Sequence, residues 1–247
     1  MVWLVASSPT DKHLVDGASW QEALDAALAT VQPAHAADRV IVELRADGVV
    51  QAIDPVTGTR LLLRRASDED PPDYLVDEGA PRHRLEEVSL RPGLEVVARA
   101  KTEQVALEAA VRWLMVAMGV EAGSVLMPNA NGDLEFKVAI GPHVTDLKDF
   151  RIEPGWGIAG SVAATGRAMV VHNVSTSKVH LHAMDKEVGY APKAVLAAPI
   201  RRGNTILGVI ELLNREDRFA VGDVDVACEI GAALATRLSQ LWSAEES

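Results

Sequence analysis

The chain has 247 residues, 48% of them hydrophobic and 24% charged, which is the composition of ordinary soluble globular protein and is enough for one large domain or two small ones. A formal net charge of -11 argues against a nucleic-acid partner, because phosphate binding draws its affinity from clustered Lys and Arg. One cysteine, Cys228, excludes an internal disulfide and a cysteine-cluster zinc site, and no apolar run approaches the roughly 20 residues that a bilayer requires.

The apolar start, Met1 to Ser8, is too short for a secretory segment and has no basic residues ahead of it. A cytoplasmic protein without a membrane partner is expected. Residues 1 to 90 carry 16 Asp plus Glu against 8 Lys plus Arg, so -8 of the -11 lies there. Such an acidic surface mainly keeps a protein soluble.

Met1 to Ala6 has the length and apolarity of a strand. Behind Ser19, a plausible N-cap, Trp20, Ala23, Leu24, Ala27, Leu28 and Val31 recur at helical spacing. Arg39 to Leu44, Val49 to Ile53 and Arg60 to Leu63 are short β-rich runs separated by turn chemistry at Ala46-Asp47-Gly48 and Asp54-Pro55-Val56-Thr57-Gly58. The expected first domain, residues 1–66, is therefore a small βαβββ unit. One helix would cover one face of its sheet and leave the other open for docking or self-association. From Ser67 the composition shifts to Ser, Asp, Glu and Pro, including Asp68-Glu69-Asp70-Pro71-Pro72. Residues 67–100 are expected to be an extended linker.

A second helix is predicted over Glu103 to Met118, after Thr102 and up to Gly119, with Leu107, Val111, Leu114, Met115 and Met118 on one face. Ser124 to Met127 and Leu134 to Ile140 flank an Asn129-Ala130-Asn131-Gly132-Asp133 turn. Ala194 to Ile200 and Ile206 to Leu213 flank Arg201-Arg202-Gly203-Asn204. Both read as hairpins. Helical spacing resumes from Asp223 to Trp242 through Val226, Ile230, Ala233, Leu234, Arg237, Leu238 and Leu241. Residues 101–242 thus form a second α+β domain, an antiparallel sheet between helices.

Three segments of this half, in order and spacing, resemble the GAF family: Glu153 to Gly166 (EPGWGIAGSVAATG); Leu196 to Ile200 with Gly208 to Asn214; and Phe219 followed by Asp223. The resemblance implies a six-stranded antiparallel sheet with flanking helices, small-molecule binding and dimerisation. Two readings of Gly157 and Gly160 stand side by side. Backbone N–H groups at a helix start could cradle an anion, or the glycines could simply let the helix pack closely.

Carried over from nucleotide-binding members, the pocket wall resembles Ser124, Ile158, Ala159, His180, Asp185, Val188, Tyr190, Pro192 and Glu211. Asp185 suits hydrogen bonds to a purine edge. Val188 and Pro192 stand where nucleotide-binding members tend to carry a hydroxyl. Of the family's Asn-Lys-Phe-Asp-Glu signature, Asn214, Arg215, Phe219 and Asp223 remain, with Val224 last. An Arg215 to Asp223 ion pair is expected to be scaffolding.

His180 and His182 share a side if extended, yet a third metal ligand is missing at any matching position, so no metal and no cofactor is expected. Family members that reduce free methionine sulfoxide need a nucleophilic and a resolving thiol. Cys228 sits alone among Val226, Ile230 and Leu234, on the last helix, and no Gly-x-Ser-x-Gly elbow or Walker loop occurs. The expectation is a non-enzymatic regulator with a small-molecule or nucleotide-like ligand, a homodimer through the helices around Leu107 to Met118 and Ile230 to Leu241, and an unidentified protein partner. Only Ser243 to Glu246 and Ser247 follow Trp242, so output would pass through protein contacts. The alternative is a ligand-free scaffold for protein interaction.

Overall fold

The computed structural model describes residues 2–7, 12–31, 40–44, 49–54, 59–66, 90–142, 147, 150–172, 174, 192–215 and 218–245. The chain divides into two compact units, Met1–Arg82 and His83–Ser247.

The first unit contains β1 (Val2–Ala6), β2 (Lys12–Asp16), α1 (Trp20–Val31), β3 (Ile41–Leu44), β4 (Val50–Ile53) and β5 (Arg60–Arg65). The strands pair antiparallel in the order β2-β1-β5-β4-β3. The unit is therefore ββαβββ, one strand more than the sequence suggests. The added strand, Lys-His-Leu-Val-Asp, pairs with β1 from Val2 opposite Asp16 to Ala6 opposite Lys12. Its Leu14 is 65% exposed. A short strand with charged ends and little burial has almost no hydrophobic alternation to read, and charge of that kind discourages further edge pairing.

Ser19 caps α1 as expected. Its hydroxyl accepts from Glu22 N at 3.3 Å, and the Glu22 carboxylate accepts from Ala18 N at 2.8 Å. The pair is a variant of the capping box in which Glu22 reaches the residue before the N-cap. The helix buries Ala23, Leu24, Ala27 and Leu28 over β1, β2 and β5, and Trp3 Nε1 donates to Gly17 O at 3.2 Å. The second sheet face is not open along β4. Val50, Gln51, Ala52 and Ile53 are all buried, although successive strand residues point to opposite faces.

The second unit holds α2 (Arg91–Arg99), α3 (Glu103–Met118), β6 (Val120–Pro128), β7 (Leu134–Ile140), β8 (Arg151–Ile152), α4 (Gly157–Thr165), β9 (Met169–His172), β10 (Ala194–Arg202), β11 (Thr205–Arg215) and α5 (Val221–Glu245). Its six strands pair antiparallel in the order β9-β10-β11-β6-β7-β8. This is the six-stranded antiparallel sheet expected for this half.

The linker expected over 67–100 gives way to helix at Arg91–Arg99. Pro92 lies in the first turn, where a missing N–H costs nothing. Gly93 is there because the Trp113 ring lies against it: a Cβ at Gly93 would stand 2.6 Å from the ring. Residues 67–89 lie outside the described set.

Side chains close the first of the two predicted turns and the start of α3. Thr102 Oγ1 accepts from Val105 N at 3.3 Å. Asn129 Oδ1 accepts from Asn131 N at 2.9 Å and Asp133 N at 3.1 Å, an Asx turn joining β6 to β7. Gly203 and Asn204 are the two-residue loop between β10 and β11.

Candidate functional site

An antiparallel rung places directly opposed side chains on the same face. One rung runs Met169, Ala197, Glu211, Ser124, Ala139 across β9, β10, β11, β6 and β7. The neighbouring rung, through Leu196, Leu212 and Gly123, points the other way. That second face is taken by α3 and α5. A Cβ on Gly123 would meet the Val111 side chain of α3 at 2.8 Å, and one on Gly231 of α5 would meet Pro199 O at 2.5 Å. The Met169–Ala139 face is left for α4, which lies across β10 and β11.

On this face the structure brings together four of the sequence-predicted wall residues. Ser124 and Glu211 are register partners, so their Cβ atoms are roughly 5 Å apart. Ile158 and Ala159, 4% and 1% exposed, sit in the first turn of α4. The rung also carries Met169 and Ala197, both fully buried, which are not among the predicted wall residues. Pro192 is buried ahead of β10, separated from the rung by the stretch from Ala194 to Ala197, about 10 Å of extended chain. His180, Asp185, Val188 and Tyr190 lie outside the described residues, as does the His180–His182 pair.

Glu211 dominates the electrostatics. Burial alone pushes its carboxyl up to about 7 from an ordinary 4.5. It has no hydrogen bond or ion pair among the described residues. Yet the side chain keeps part of its surface accessible. The carboxyl is thus desolvated and without a partner among the described residues while the residue as a whole is only half-buried, and an unpaired desolvated carboxyl of this kind marks a candidate site.

The glycines divide their roles. Gly157 opens α4 at φ +66, a conformation that side-chain-bearing residues resist. A Cβ at Gly160 would stand 2.4 Å from Glu153 O, and Gly155 N donates to Gly160 O at 2.7 Å. Close packing of α4 on the Glu153–Gly155 turn therefore accounts for Gly160. No side chain caps α4, whose N-cap Trp156 is 62% exposed. Ser161 and Thr165 are spent internally, donating to Gly157 O at 2.7 Å and Ser161 O at 2.8 Å.

The signature residues beyond the site are structural. Arg215 pairs with the fully buried Asp223, which also accepts from Ala220 N at 2.7 Å. This is the expected ion pair, and it fixes the end of β11 to the start of α5. Asn214 Oδ1 accepts from Lys193 N at 2.7 Å while its Nδ2 donates to Glu121 at 2.7 Å. Phe219 stacks on His172, ring centroids 6.5 Å apart. Burial, helped by Arg218, pushes His172 down to about 4, and its place opposite Ala194 and beside Leu196 puts it on the face away from Glu211. Cys228 lies on α5, on that same helix-covered side. Burial first and Asp225 second push its thiol up to about 12, so it is protonated and a poor nucleophile. Among the described residues no group of His, Cys, Asp and Glu is placed to hold a metal, and no helix is long and apolar enough to cross a membrane.

Comparison with known proteins agrees with this architecture. A Caenorhabditis elegans protein described as a probable 3',5'-cyclic phosphodiesterase is 31% identical over 85 residues, 34% of this chain and 12% of its own length. The chain thus matches only a small part of that relative. A GAF domain of a Coxiella burnetii phosphoenolpyruvate-protein phosphotransferase superposes with a TM-score of 0.58 at 19% identity, covering 64% of this chain and 95% of its own. A free methionine-R-sulfoxide reductase of Neisseria meningitidis, solved with its substrate, gives 0.54 at 20% identity, covering 63% and 89%. At such identities the likeness is one of fold. The family model described as GAF domain matches residues 102–238, more than half of the 247 residues, and this chain belongs to the GAF family.

Proposed function

We propose that this protein is a non-enzymatic regulator whose GAF domain takes a small molecule on the sheet face beneath α4, between Ser124 and Glu211. The observation that carries it is the unpaired, enclosed and still accessible Glu211 carboxyl in register with Ser124. A core position filled by the protein's own packing would hold an apolar residue there. The match to part of a phosphodiesterase supports a small-molecule ligand. Catalysis finds no thiolate to work with: the one cysteine is protonated and on the opposite side of the sheet. Ligand-induced change would leave through protein contacts, its size set by the ligand's differing affinity for two arrangements of the protein.

A homodimer is part of this reading, with a revised surface. Leu107, Val111, Leu114, Met118, Ile230, Leu234 and Leu238 are consumed inside the domain. Self-association through α3 would instead use its outward residues Val105 and Val116, 52% and 85% exposed.

The test is differential scanning fluorimetry and calorimetry against cyclic mono- and dinucleotides and a metabolite extract. A ligand at a hundred times its dissociation constant adds about 2.7 kcal/mol, a shift of several degrees. If no compound shifts the transition, the ligand-free scaffold is the better reading.

A further inference from the structure

Glu211 defines more than the presence of a site. The elements packed around it are β6, β9, β10 and α4. In register beside it stand Ser124 and Ala197, with Met169 beyond. Rungs on either side of it on this face bring Ala122 with Leu213 and Val195, and Leu126 with Val209 and Pro199. α4, Gly-Ile-Ala-Gly-Ser-Val-Ala-Ala-Thr, carries no charged residue at all. Its two hydroxyls donate to its own backbone. Among the described residues, then, no titratable or cationic side chain faces Glu211 from any of these elements. A carboxylate in such surroundings has two ways to be stabilised: a proton, or a positive group brought from outside.

We propose that the ligand of this site carries a cationic nitrogen, a protonated amine, amidinium or guanidinium, which pairs with Glu211 and displaces its proton on binding. The proposal rests on reading this face as the ligand site and specifies the charge of the ligand there. Ser124, the register neighbour, offers a hydroxyl within reach of the same group. Met169, Ala197 and Val209 are fully buried beside Glu211 and make its surroundings apolar. Because the carboxyl holds its proton up to about pH 7, affinity for such a cation falls tenfold for each pH unit below that value and is flat above it.

Benzamidine and its neutral isostere benzamide form the matched probe pair, since a planar amidinium can donate two parallel N–H bonds to a carboxylate. Titrated calorimetrically into the full chain at pH 8, benzamidine is expected to bind at least tenfold tighter than benzamide. The preference should fall about tenfold between pH 8 and pH 6 and vanish in Glu211→Gln, a change that removes charge without volume. Equal binding of the two probes, a preference independent of pH, or one kept in Glu211→Gln would each overturn the proposal. A nucleotide or metabolite that binds wild type and Glu211→Gln equally would overturn the pairing with Glu211 while leaving the small-molecule reading standing. Failure of every compound, probes included, to bind wild type overturns both.

Discussion

At Glu211 desolvation competes with the ordinary acidity of a carboxyl, and with no partner to offset it, desolvation wins. The unfolded value of 4.5 rises to about 7 in the folded chain. Between those two pH values the folded state holds a proton that the unfolded state has released, so stability rises as pH falls through 7 and levels off below 4.5. The ionised form costs up to about 3 kcal/mol above pH 7, reduced by the part of the side chain that still meets water. Glu211→Gln should accordingly raise the urea midpoint at pH 8 and flatten the pH dependence, and an unchanged slope from pH 5 to 8 would contradict this. Asp223 is the opposite case, a buried carboxylate held by Arg215 and Ala220 N. Asp223→Ala strands the Arg215 charge and should cost about 3 kcal/mol in denaturant unfolding. Gly160→Ala places a methyl group against Glu153 O, which forces α4 off its turn at a cost of about 2 kcal/mol, checked in the same experiment.

Among the elements, α3 is set by local chemistry. Thr102 caps it, so Thr102→Ala should remove about 1 kcal/mol of stability, whereas the same exchange at exposed Thr205 should change nothing measurable. Strong periodicity and explicit turn residues made most of this half legible. Leu134–Ile140 is the strand that the sequence predicts, Asn129 marks the turn that leads into it, and Gly203 marks the turn between β10 and β11. What the sequence hid has physical reasons. β2 is polar at both ends and its Leu14 is exposed, so it lacks the alternation that creates a pattern. α2 begins with Arg-Pro-Gly, a string that reads as loop until Trp113 is seen lying against Gly93. The site was half legible for the same reason. Ser124, Ile158, Ala159 and Glu211 follow from motif position, while Met169 and Ala197 enter only through strand register, which no local pattern specifies.

Taken whole, the GAF unit sorts its chemistry by sheet face. α3 and α5 cover one face, along with the inert Cys228 and the His172–Phe219 stack. The other face, under an uncharged α4, keeps the Glu211 carboxyl, which has no partner among the described residues. If the molecule pairs through the outside of α3, Val116→Glu should shift sedimentation from dimer to monomer without lowering the melting temperature of the monomer, and an unchanged profile would remove that surface from consideration. The claim on which all of this depends is that Glu211 faces an enclosed site. A carboxyl carbon-13 NMR titration, with the Glu211 signal assigned by its loss in Glu211→Gln, measures this directly. The account predicts a midpoint of about 7; a midpoint at the ordinary 4.5 would mean that the carboxylate meets open water and that no enclosed site lies beneath α4.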